Sequence, residues 1–280
     1  MSNQNILTSV WMKKFLIIIV IYNKTADQIE PLKYFNKVNS DNFTIFLYDN
    51  SPISQENSFK GNKFVYFHDA KNSGIAKAYN TGAEYAEEHG YNWLILFDQD
   101  TEIRDNNFLK VVEDSIEAYP TVSLFVPTVD YKNGVMSPKP CKYFRVYDKK
   151  LDEGVNLLKN VAIINSGMTI SLDTFTRCGG YNEKTYLDLA DLQFIERVEK
   201  EESTFCIISS HLFQDFSNDE TSSKKLFSRF KIYCECLKGY ETSFFRHSML
   251  FFSGLLHATS LTRRTRNLKF LIHFFKTILS

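Results

Sequence analysis

The 280-residue sequence predicts an α/β fold with a mixed, mostly parallel sheet and flanking helices, followed by a helical segment rich in basic and aromatic residues. Two observations support this prediction. Short apolar runs alternate with helix-compatible segments over the first half of the chain, an order that favours parallel strands with helices on both faces. Near residue 220 the composition changes, and apolar, basic and aromatic residues then follow a helical pattern.

Four apolar runs of strand length occur in the first half, and each of them ends in polar residues. They cover residues 15–22, 44–48, 64–67 and 93–97. The segments between them favour helices over residues 26–38 and 74–89, and the second segment is rich in alanine. These elements predict the parallel part of the sheet.

The same patterns predict the later elements. Helices are expected at 108–118 and 188–201, and strands at 122–126, 161–164, 167–172 and 205–208. Residues 128–154 match neither pattern, so we expect a loop or lid there.

Charge divides the chain unevenly. Residues 221–280 carry 11 Lys and Arg against 2 Asp and Glu, a net charge of +9, so residues 1–220 carry −9. We therefore expect an N-terminal tail at 1–14, an α/β domain at 15–220 and a C-terminal helical segment at 221–280.

The basic, aromatic C-terminal segment is expected to lie on an anionic membrane surface. No apolar run reaches the ~20 residues that a membrane-spanning helix needs. An alternative remains open, in which the segment packs on the core or on a second subunit of a homo-oligomer. Nucleic acid is not expected as a partner, because the apolar residues are too many for a groove that follows phosphates.

Cysteine usage and the N-terminus indicate the compartment. The five cysteines are scattered and contain no C-x-x-C pair, which favours a reducing cytosol over a disulfide framework or a zinc site. Lys13 and Lys14 precede an apolar run, as in a signal peptide, but no small-residue cleavage site follows. We therefore interpret the run as the first buried strand and expect a cytoplasmic protein at the inner face of the plasma membrane.

Asp98 and Asp100 follow the apolar run 93–97 directly. Side chains at positions i and i+2 of an extended chain point the same way, so both carboxylates can face one Mg²⁺ or Mn²⁺ ion or one polyphosphate. Ligands of open α/β sheets bind at the carboxyl ends of strands, where this pair is expected. The alternative is a solvated turn in which Thr101 caps the next helix.

Several motifs occur in a defined order along the chain. They are residues 20–24 (VIYNK), 48–51 (YDNS), 72–82 (NSGIAKAYNTG), 98–100 (DQD), 179–183 (GGYNE) and 186–191 (YLDLAD). They are similar to V-x-Y-N-[RK], to D-N-x-S with one residue missing, to N-x-G-x-A-x-A-x-N-x-G, to D-x-D, and to G-G-F-x-E followed by F-x-D-x-x-D. On these motifs the chain resembles the family 2 glycosyltransferases of the GT-A fold, especially the bacterial rhamnosyltransferase-like branch.

The resemblance implies a nucleotide-binding set. Asp49 would accept a hydrogen bond from the imide N–H of uracil or thymine, although a turn Asp fits equally. Tyr22 would lie against the base, although a strand-end Tyr is more often a core aromatic. The remaining candidates are Asn23, Asn72 as ligand contact or helix cap, Gly74 for close backbone approach, Lys77 as phosphate contact or solvated Lys, Asp98 and Gln99.

The resemblance also implies the catalytic and metal residues. Asp191 would be the general base of an inverting transfer, the alternative being an exposed Asp in the first turn of a helix, and Asp188 would be a supporting residue or cap. Asp100 would be the principal metal ligand, with Asp98 beside it. His211 would follow the last strand as a further metal ligand, but Gln214 replaces the glycine of the family's H-x-x-G pattern, so this assignment stays open.

The resemblance implies an inverting glycosyltransferase that uses Mn²⁺ or Mg²⁺ and transfers L-rhamnose from dTDP-rhamnose to a lipid-linked surface glycan. UDP-galactose, UDP-N-acetylglucosamine and UDP-glucose remain alternative donors. A phosphatase of the haloacid dehalogenase type would need D-x-D-x-[TV], whereas Thr101 follows the second Asp directly. A non-catalytic membrane scaffold is the other alternative, and the presence of Asp98, Asp100 and Asp191 argues against it.

Overall fold

The structure is a computed structural model that describes residues 15–59, 63–215 and 222–279, so the predicted tail at 1–14 lies outside the described residues. Thirteen strands are described: β1 (Phe15–Ile21), β2 (Phe43–Asp49), β3 (Phe64–His68), β4 (Trp93–Asp98), β5 (Thr101–Ile103), β6 (Leu124–Tyr131), β7 (Gly134–Ser137), β8 (Lys139–Lys142), β9 (Arg145–Val146), β10 (Gly154–Leu157), β11 (Val161–Ala162), β12 (Met168–Ser171) and β13 (Thr204–Gln214). The described helices are α1 (Glu30–Phe35), α2 (Gly74–Glu88), α3 (Phe108–Ala118), α4 (Leu172–Arg177), α5 (Ala190–Glu201), α6 (Ser223–Gly239), α7 (Phe244–Thr265) and α8 (Lys269–Ile278).

Ten of the described strands form the main sheet, and its central path runs β10-β13-β6-β12-β4-β1-β2-β3. The strands β3, β2, β1 and β4 are parallel neighbours, and β6 is parallel to β13. Strand β12 runs antiparallel between β4 and β6. The predicted mixed α/β sheet is therefore confirmed. In its parallel half, the carboxyl ends of β1, β2 and β4 lie at one edge.

Helices cover both faces of the sheet, as predicted. In β1 every residue is buried, and alternate side chains enter two different hydrophobic clusters. Leu16, Ile18 and Val20 pack with α2, α4 and α5, whereas Ile17 and Ile19 pack with α1 and α3. Gly82 lets α2 approach the sheet, because a Cβ atom at this position would lie 2.5 Å from Cδ1 of Ile18.

Two expectations about local structure are wrong, and so is one alternative. The segment 128–154, expected as a loop or lid, contains the end of β6 and the short strands β7, β8 and β9. The last strand extends to Gln214 rather than ending at residue 208, because β13 pairs with β6 and also with β5. Thr101 is buried within β5 and does not cap the following helix, whose N-cap is Asn107.

The C-terminal segment is helical, as predicted, and α6, α7 and α8 share a hydrophobic cluster that includes Phe230, Leu250 and Phe270. Helix α6 also contacts the loop before α5, where Asn182 donates to the Gly239 carbonyl at 2.9 Å. Within the described ranges, none of the helices combines the length and the apolar character needed to cross a bilayer.

Candidate active site

The carboxyl ends of three parallel strands meet where Asp49 and Asp98 lie on either side of β1. In the register, Asp49 pairs with Ile21 and Asp98 with the adjacent Val20. Because parallel strands end at the same edge of a sheet, the two acids lie at one edge, where ligands of open α/β sheets bind.

Asp98 is half-buried and is surrounded by neutral hydrogen-bond donors. Its Oδ1 accepts from the Tyr79 hydroxyl at 3.4 Å and from Nδ2 of Asn165 at 3.2 Å, and its Oδ2 accepts from Nε2 of Gln214 at 3.5 Å. Burial, together with the negative charge of Asp100, raises the pKa of Asp98 to about 6. A bound cation would therefore stabilise the ionised form of Asp98.

Asp100 is exposed, and its Oδ1 accepts from Nε2 of the same Gln214 at 3.0 Å. Gln99 between the two acids turns toward β1, where its Oε1 accepts from the backbone N–H of Tyr22 at 2.8 Å. The structure therefore brings Asp98 and Asp100 together through one amide, while Gln99 joins the ends of β1 and β4.

Asp191 lies in the first turn of α5, and its Oδ1 is buried without a hydrogen-bond partner among the described residues. Burial raises the pKa of Asp191 to about 8, and the charge of Asp98 contributes. The alternative of an exposed first-turn Asp is therefore wrong.

Asp188 does not cap α5, because the N-cap is Leu189, a non-glycine residue with a φ of 64°. The Asp188 carboxylate instead forms an ion pair with Arg229 of α6. Burial raises the pKa of Asp188, and the guanidinium of Arg229 opposes this shift. This contact joins the C-terminal segment to the loop that precedes α5, the helix that carries Asp191.

Asp49 is fully buried, and both of its carboxylate oxygens are used within the protein. Its Oδ1 accepts from the Ser51 N–H at 2.8 Å, and its Oδ2 accepts from the Gln55 N–H at 3.0 Å and from the Tyr66 hydroxyl. This geometry fits the turn interpretation that the sequence left open. The contact with a base remains a prediction.

Tyr22 and Asn23 follow β1 at the same edge. Tyr22 is 44% exposed, so its ring is not the core aromatic of the alternative interpretation. Asn23 has a φ of 52°, and its N–H donates to Oγ of Ser51 at 2.7 Å. The aromatic face of Tyr22 is thus available to a ligand.

The start of α2 is held by a backbone carbonyl from the loop before α5. The N–H of Ile75 donates to the Tyr186 carbonyl at 2.8 Å. Gly74 has a φ of 91°, and a Cβ atom there would lie 2.3 Å from the same oxygen, so this position requires glycine. Asn72 does not cap the helix, because Ser73 is the N-cap.

Lys77 and Asn80 of α2 also face this loop. Nζ of Lys77 lies 3.4 Å from Oε1 of Glu183, which is a partly exposed ion pair rather than an unpaired Lys. Asn80 exchanges two 2.9 Å hydrogen bonds with the backbone of Tyr181, accepting from its N–H and donating to its carbonyl. The 72–82 motif thus binds α2 to the Gly-Gly-Tyr loop at residues 179–181.

His211 lies inside β13 rather than after the last strand, so its predicted position is wrong. Its Nδ1 lies 2.7 Å from Oδ2 of Asp130. His211 and Gln214 are three residues apart in a strand, so their side chains point to opposite faces. Gln214 reaches Asp98 and Asp100, and the structure does not bring His211 to them.

The sequence interpretation did not identify the neutral residues around the acids. Tyr79 occupies a variable position of the 72–82 motif, and Asn165 and Ser166 precede β12 in a stretch that is typical of a turn. All three are buried, and Asn165 donates to the Tyr79 hydroxyl as well as to Asp98. A buried polar side chain indicates a functional position, but the sequence alone does not show that these residues are buried.

A surface cavity of about 580 Å³ lies elsewhere, along the face of α5 that contains Gln193, Glu196 and Arg197. Its charges are largely paired with one another, since Arg197 lies 3.2 Å from Glu241 and Glu196 lies 2.6 Å from Arg246. The acids therefore carry the candidate chemistry, and the cavity does not.

A divalent cation fits the acids only together with a ligand. Asp98, Asp100 and Asp191 have no ion-pair partner within the part of the chain that the structure describes. In that same part, no three His, Cys, Asp or Glu side chains are arranged to hold a metal ion. Mg²⁺ in proteins is commonly held by one or two carboxylates plus substrate phosphates, which matches this donor set.

Comparisons with known proteins identify the family and the fold. The sequence model of the family described as "Glycosyl transferase family 2" matches residues 16–173. The dTDP-rhamnosyl transferase RfbF of Shigella flexneri is 30% identical over 138 residues, which cover 45% of this chain and 43% of that protein. The chain thus spans less than half the length of this relative.

Solved structures of S. aureus TarS share the fold. The crystal structure of TarS 1–349 superposes with a TM-score of 0.57 at 13% identity, covering 95% of this chain and 89% of that one. Its complex with UDP-GlcNAc gives a TM-score of 0.60 at 13% identity, covering 94% and 79%. Because the family match covers more than half of the chain, the protein belongs to glycosyl transferase family 2, and its fold is GT-A.

Proposed function

We propose that this protein is a metal-dependent inverting glycosyltransferase that transfers L-rhamnose from dTDP-rhamnose to a hydroxyl of a lipid-linked surface polysaccharide precursor. The observation that carries the proposal is the group of three carboxylates at the edge of the sheet. Asp98 and Asp100 share the Gln214 amide, and Asp191 lies close enough to Asp98 for the charge of Asp98 to raise its pKa.

In this proposal, Asp98 and Asp100 hold Mn²⁺ or Mg²⁺ together with the diphosphate of the donor. A bound cation supplies positive charge that stabilises the departing nucleotide diphosphate. Asp191 accepts the proton of the acceptor hydroxyl, so that the oxygen attacks the anomeric carbon from the side opposite the leaving group. A raised pKa suits a general base, because a more basic carboxylate takes the proton more readily.

The donor base and sugar rest on the relative named a dTDP-rhamnosyl transferase. In the proposal, Tyr22 stacks on the thymine ring, and Asn23, Asp49, Asn72, Gly74, Lys77 and Gln99 line the nucleotide site. UDP-linked sugars are the alternative donors, since TarS, the structural relative, was crystallised in complex with UDP-GlcNAc.

The lipid-linked acceptor is supported by two exposed apolar rows on the C-terminal helices. Phe252 and Leu256 are 62% and 72% exposed on α7, and Leu268, Ile272 and Leu279 are 66%, 64% and 74% exposed on or beside α8. Within each row, successive residues are four or seven positions apart, so they share a helix face.

Exposed basic residues flank these rows at Arg263, Arg264, Arg266, Lys269 and Lys276. Apolar side chains beside positive charges match a surface of anionic lipid, where the rings and aliphatic groups enter and the cations meet phosphates. We therefore propose that the protein is cytoplasmic and lies peripherally on the inner face of the plasma membrane, and a self-association surface is the alternative that the lipid test would reveal.

A donor screen tests the proposed function. Purified protein is incubated with MnCl₂ and one nucleotide sugar at a time, and free nucleotide diphosphate is measured with and without a lipid-linked acceptor extract. We expect release of dTDP from dTDP-rhamnose that increases with acceptor and stops with EDTA. Release from a UDP-sugar alone would contradict the assigned donor, and release that is insensitive to EDTA would contradict the metal dependence.

A further inference from the structure

Gln214 is the last residue of β13, and its side-chain amide lies between the two acids that follow β4. Nε2 of Gln214 is 3.0 Å from Oδ1 of Asp100 and 3.5 Å from Oδ2 of Asp98. We infer that Gln214 is a positioning residue that holds Asp98 and Asp100 in the arrangement that binds a divalent cation. This inference rests on the proposed function, because it assigns the cation to that site.

The fold delivers Gln214 to the acids through a short antiparallel pairing. Strand β13 pairs with β5, and Gln214 lies opposite Thr101, the residue after Asp100. Since Gln214 is only 4% exposed, its amide is confined to this position. The pairing therefore fixes the distance between the amide and the acids independently of any ligand.

Ser166 fixes the orientation of the amide. Its Oγ donates to Oε1 of Gln214 at 2.6 Å, and this leaves the NH₂ group to face the carboxylates. A hydroxyl that donates to the amide oxygen, and two carboxylates that accept from the nitrogen, define one orientation of the side chain. Both ends of the Gln214 amide are thus satisfied.

A neutral donor suits two acids that must bind a cation. Asp98 and Asp100 repel one another, and a Lys or Arg between them would cancel the negative charge that attracts the metal. An amide with two N–H groups holds both carboxylates without adding charge. The other oxygen of Asp98 is also held by neutral donors, Tyr79 and Asn165. Partners of this kind orient metal ligands, and their loss typically weakens metal binding by about 10- to 100-fold.

Gln214 occupies the place of a glycine in the H-x-x-G pattern that this chain resembles. A glycine has no side chain to reach the acids, so the contact is a property of this sequence. His211, the other defined residue of the pattern, is occupied with Asp130. In this chain an amide contacts the acids, whereas the pattern implies a histidine contact.

Calorimetry with Mn²⁺ in the presence of dTDP or UDP tests the inference. We expect Gln214→Ala to raise the Kd for Mn²⁺ about tenfold or more. Gln193→Ala is the matched control, because Gln193 is 1% exposed and also uses both ends of its amide, with Asn182 at 2.9 Å and the Glu241 carbonyl at 3.0 Å. Both variants should lower the melting temperature, but Gln193→Ala should leave the Kd for Mn²⁺ within about twofold of the original value.

Ser166→Ala is a second, milder variant, which keeps the amide but removes its anchor. We expect it to raise the Kd for Mn²⁺ in the same direction and by less, so it carries the test if Gln214→Ala does not fold. If the unmodified protein binds Mn²⁺ and the folded Gln214→Ala and Ser166→Ala variants bind it equally well, the role of Gln214 is overturned and the metal site of the proposed function is not. Absence of Mn²⁺ binding by the unmodified protein with either nucleotide would instead overturn the metal site of the proposed function.

Discussion

Asn80 and Tyr181 are 101 positions apart in the chain and are joined by two hydrogen bonds of 2.9 Å, one in each direction between the Asn80 amide and the Tyr181 backbone. Asn80 also donates to Oε1 of Glu183 at 3.1 Å. Tyr181 in turn stacks on Phe194 of α5, with ring centroids 4.1 Å apart. A single side chain of α2 thus anchors the segment that leads to Asp191.

Replacing Asn80 should therefore affect both stability and turnover. Asn80→Ala removes three hydrogen bonds, and at roughly 1 kcal/mol each we expect a loss of about 2–3 kcal/mol in the free energy of unfolding. Because the loop that leads into α5 and Asp191 loses its anchor, kcat should fall more than the affinity for the donor. Chemical denaturation and steady-state kinetics measure these changes, and unaltered kcat in the folded variant would refute the coupling to Asp191.

Gly74 should tolerate no side chain, for two separate reasons. Its φ of 91° strains any other residue, and a Cβ atom would lie 2.3 Å from the Tyr186 carbonyl oxygen. A positive φ alone costs a residue with a Cβ atom about 1 kcal/mol. We expect Gly74→Ala to lower the free energy of unfolding by more than this amount. Gly90→Ala isolates the backbone contribution, because Gly90 has a φ of 69° and a Cβ atom added there would meet nothing within 4 Å. Equal losses of melting temperature in the two variants would contradict the close approach at Tyr186.

Asp191 should separate catalysis from binding. We expect Asp191→Asn to lower kcat by about 10²- to 10⁴-fold, the usual contribution of a general base, while the Kd of the donor changes little. The variant should also raise the melting temperature of the metal-free protein at neutral pH, because Asn cannot take the negative charge that burial and Asp98 disfavour at this position. Parallel loss of donor binding and kcat would show a structural role instead.

The exposed rows of α7 and α8 should govern lipid binding. The double variant Phe252→Glu, Ile272→Glu places two charges within the rows, and we expect binding to liposomes that contain phosphatidylglycerol to weaken roughly tenfold or more. Leu157→Glu is the control, since Leu157 is 71% exposed but belongs to β10 of the main sheet and not to these helices. Unchanged sedimentation of the double variant with liposomes would contradict the lipid surface. A shift from dimer to monomer in that variant would favour self-association.

Elements with strong local signals were predicted from the sequence. Helix α3 has the predicted bounds, and α2 ends one residue before the predicted end. The apolar runs of β1 and β4 are long enough to be identified without their partners, and this placed Asp98 at a strand end. The motif 72–82 likewise indicated close backbone approach at Gly74, but the contacts of Asn80 with the Gly-Gly-Tyr loop were not predicted.

Elements that depend on distant pairing were not predicted. Strand β5 has three residues and exists because β13 lies beside it, more than 100 positions later. That pairing extends β13 and brings Gln214 to Asp100, a contact that no local pattern indicates. The prediction of a loop at 128–154 was wrong for the same reason, since strands of two to four residues are stabilised mainly by their partners.

The central claim is that Asp98 and Asp100 hold a divalent cation against the diphosphate of a nucleotide. Calorimetric titration of dTDP into the protein, with Mn²⁺ and then with EDTA, tests it most directly. We expect binding in Mn²⁺ that weakens at least about tenfold in EDTA, and loss of this difference in Asp100→Asn. Equal affinity for dTDP with and without Mn²⁺ would contradict the claim.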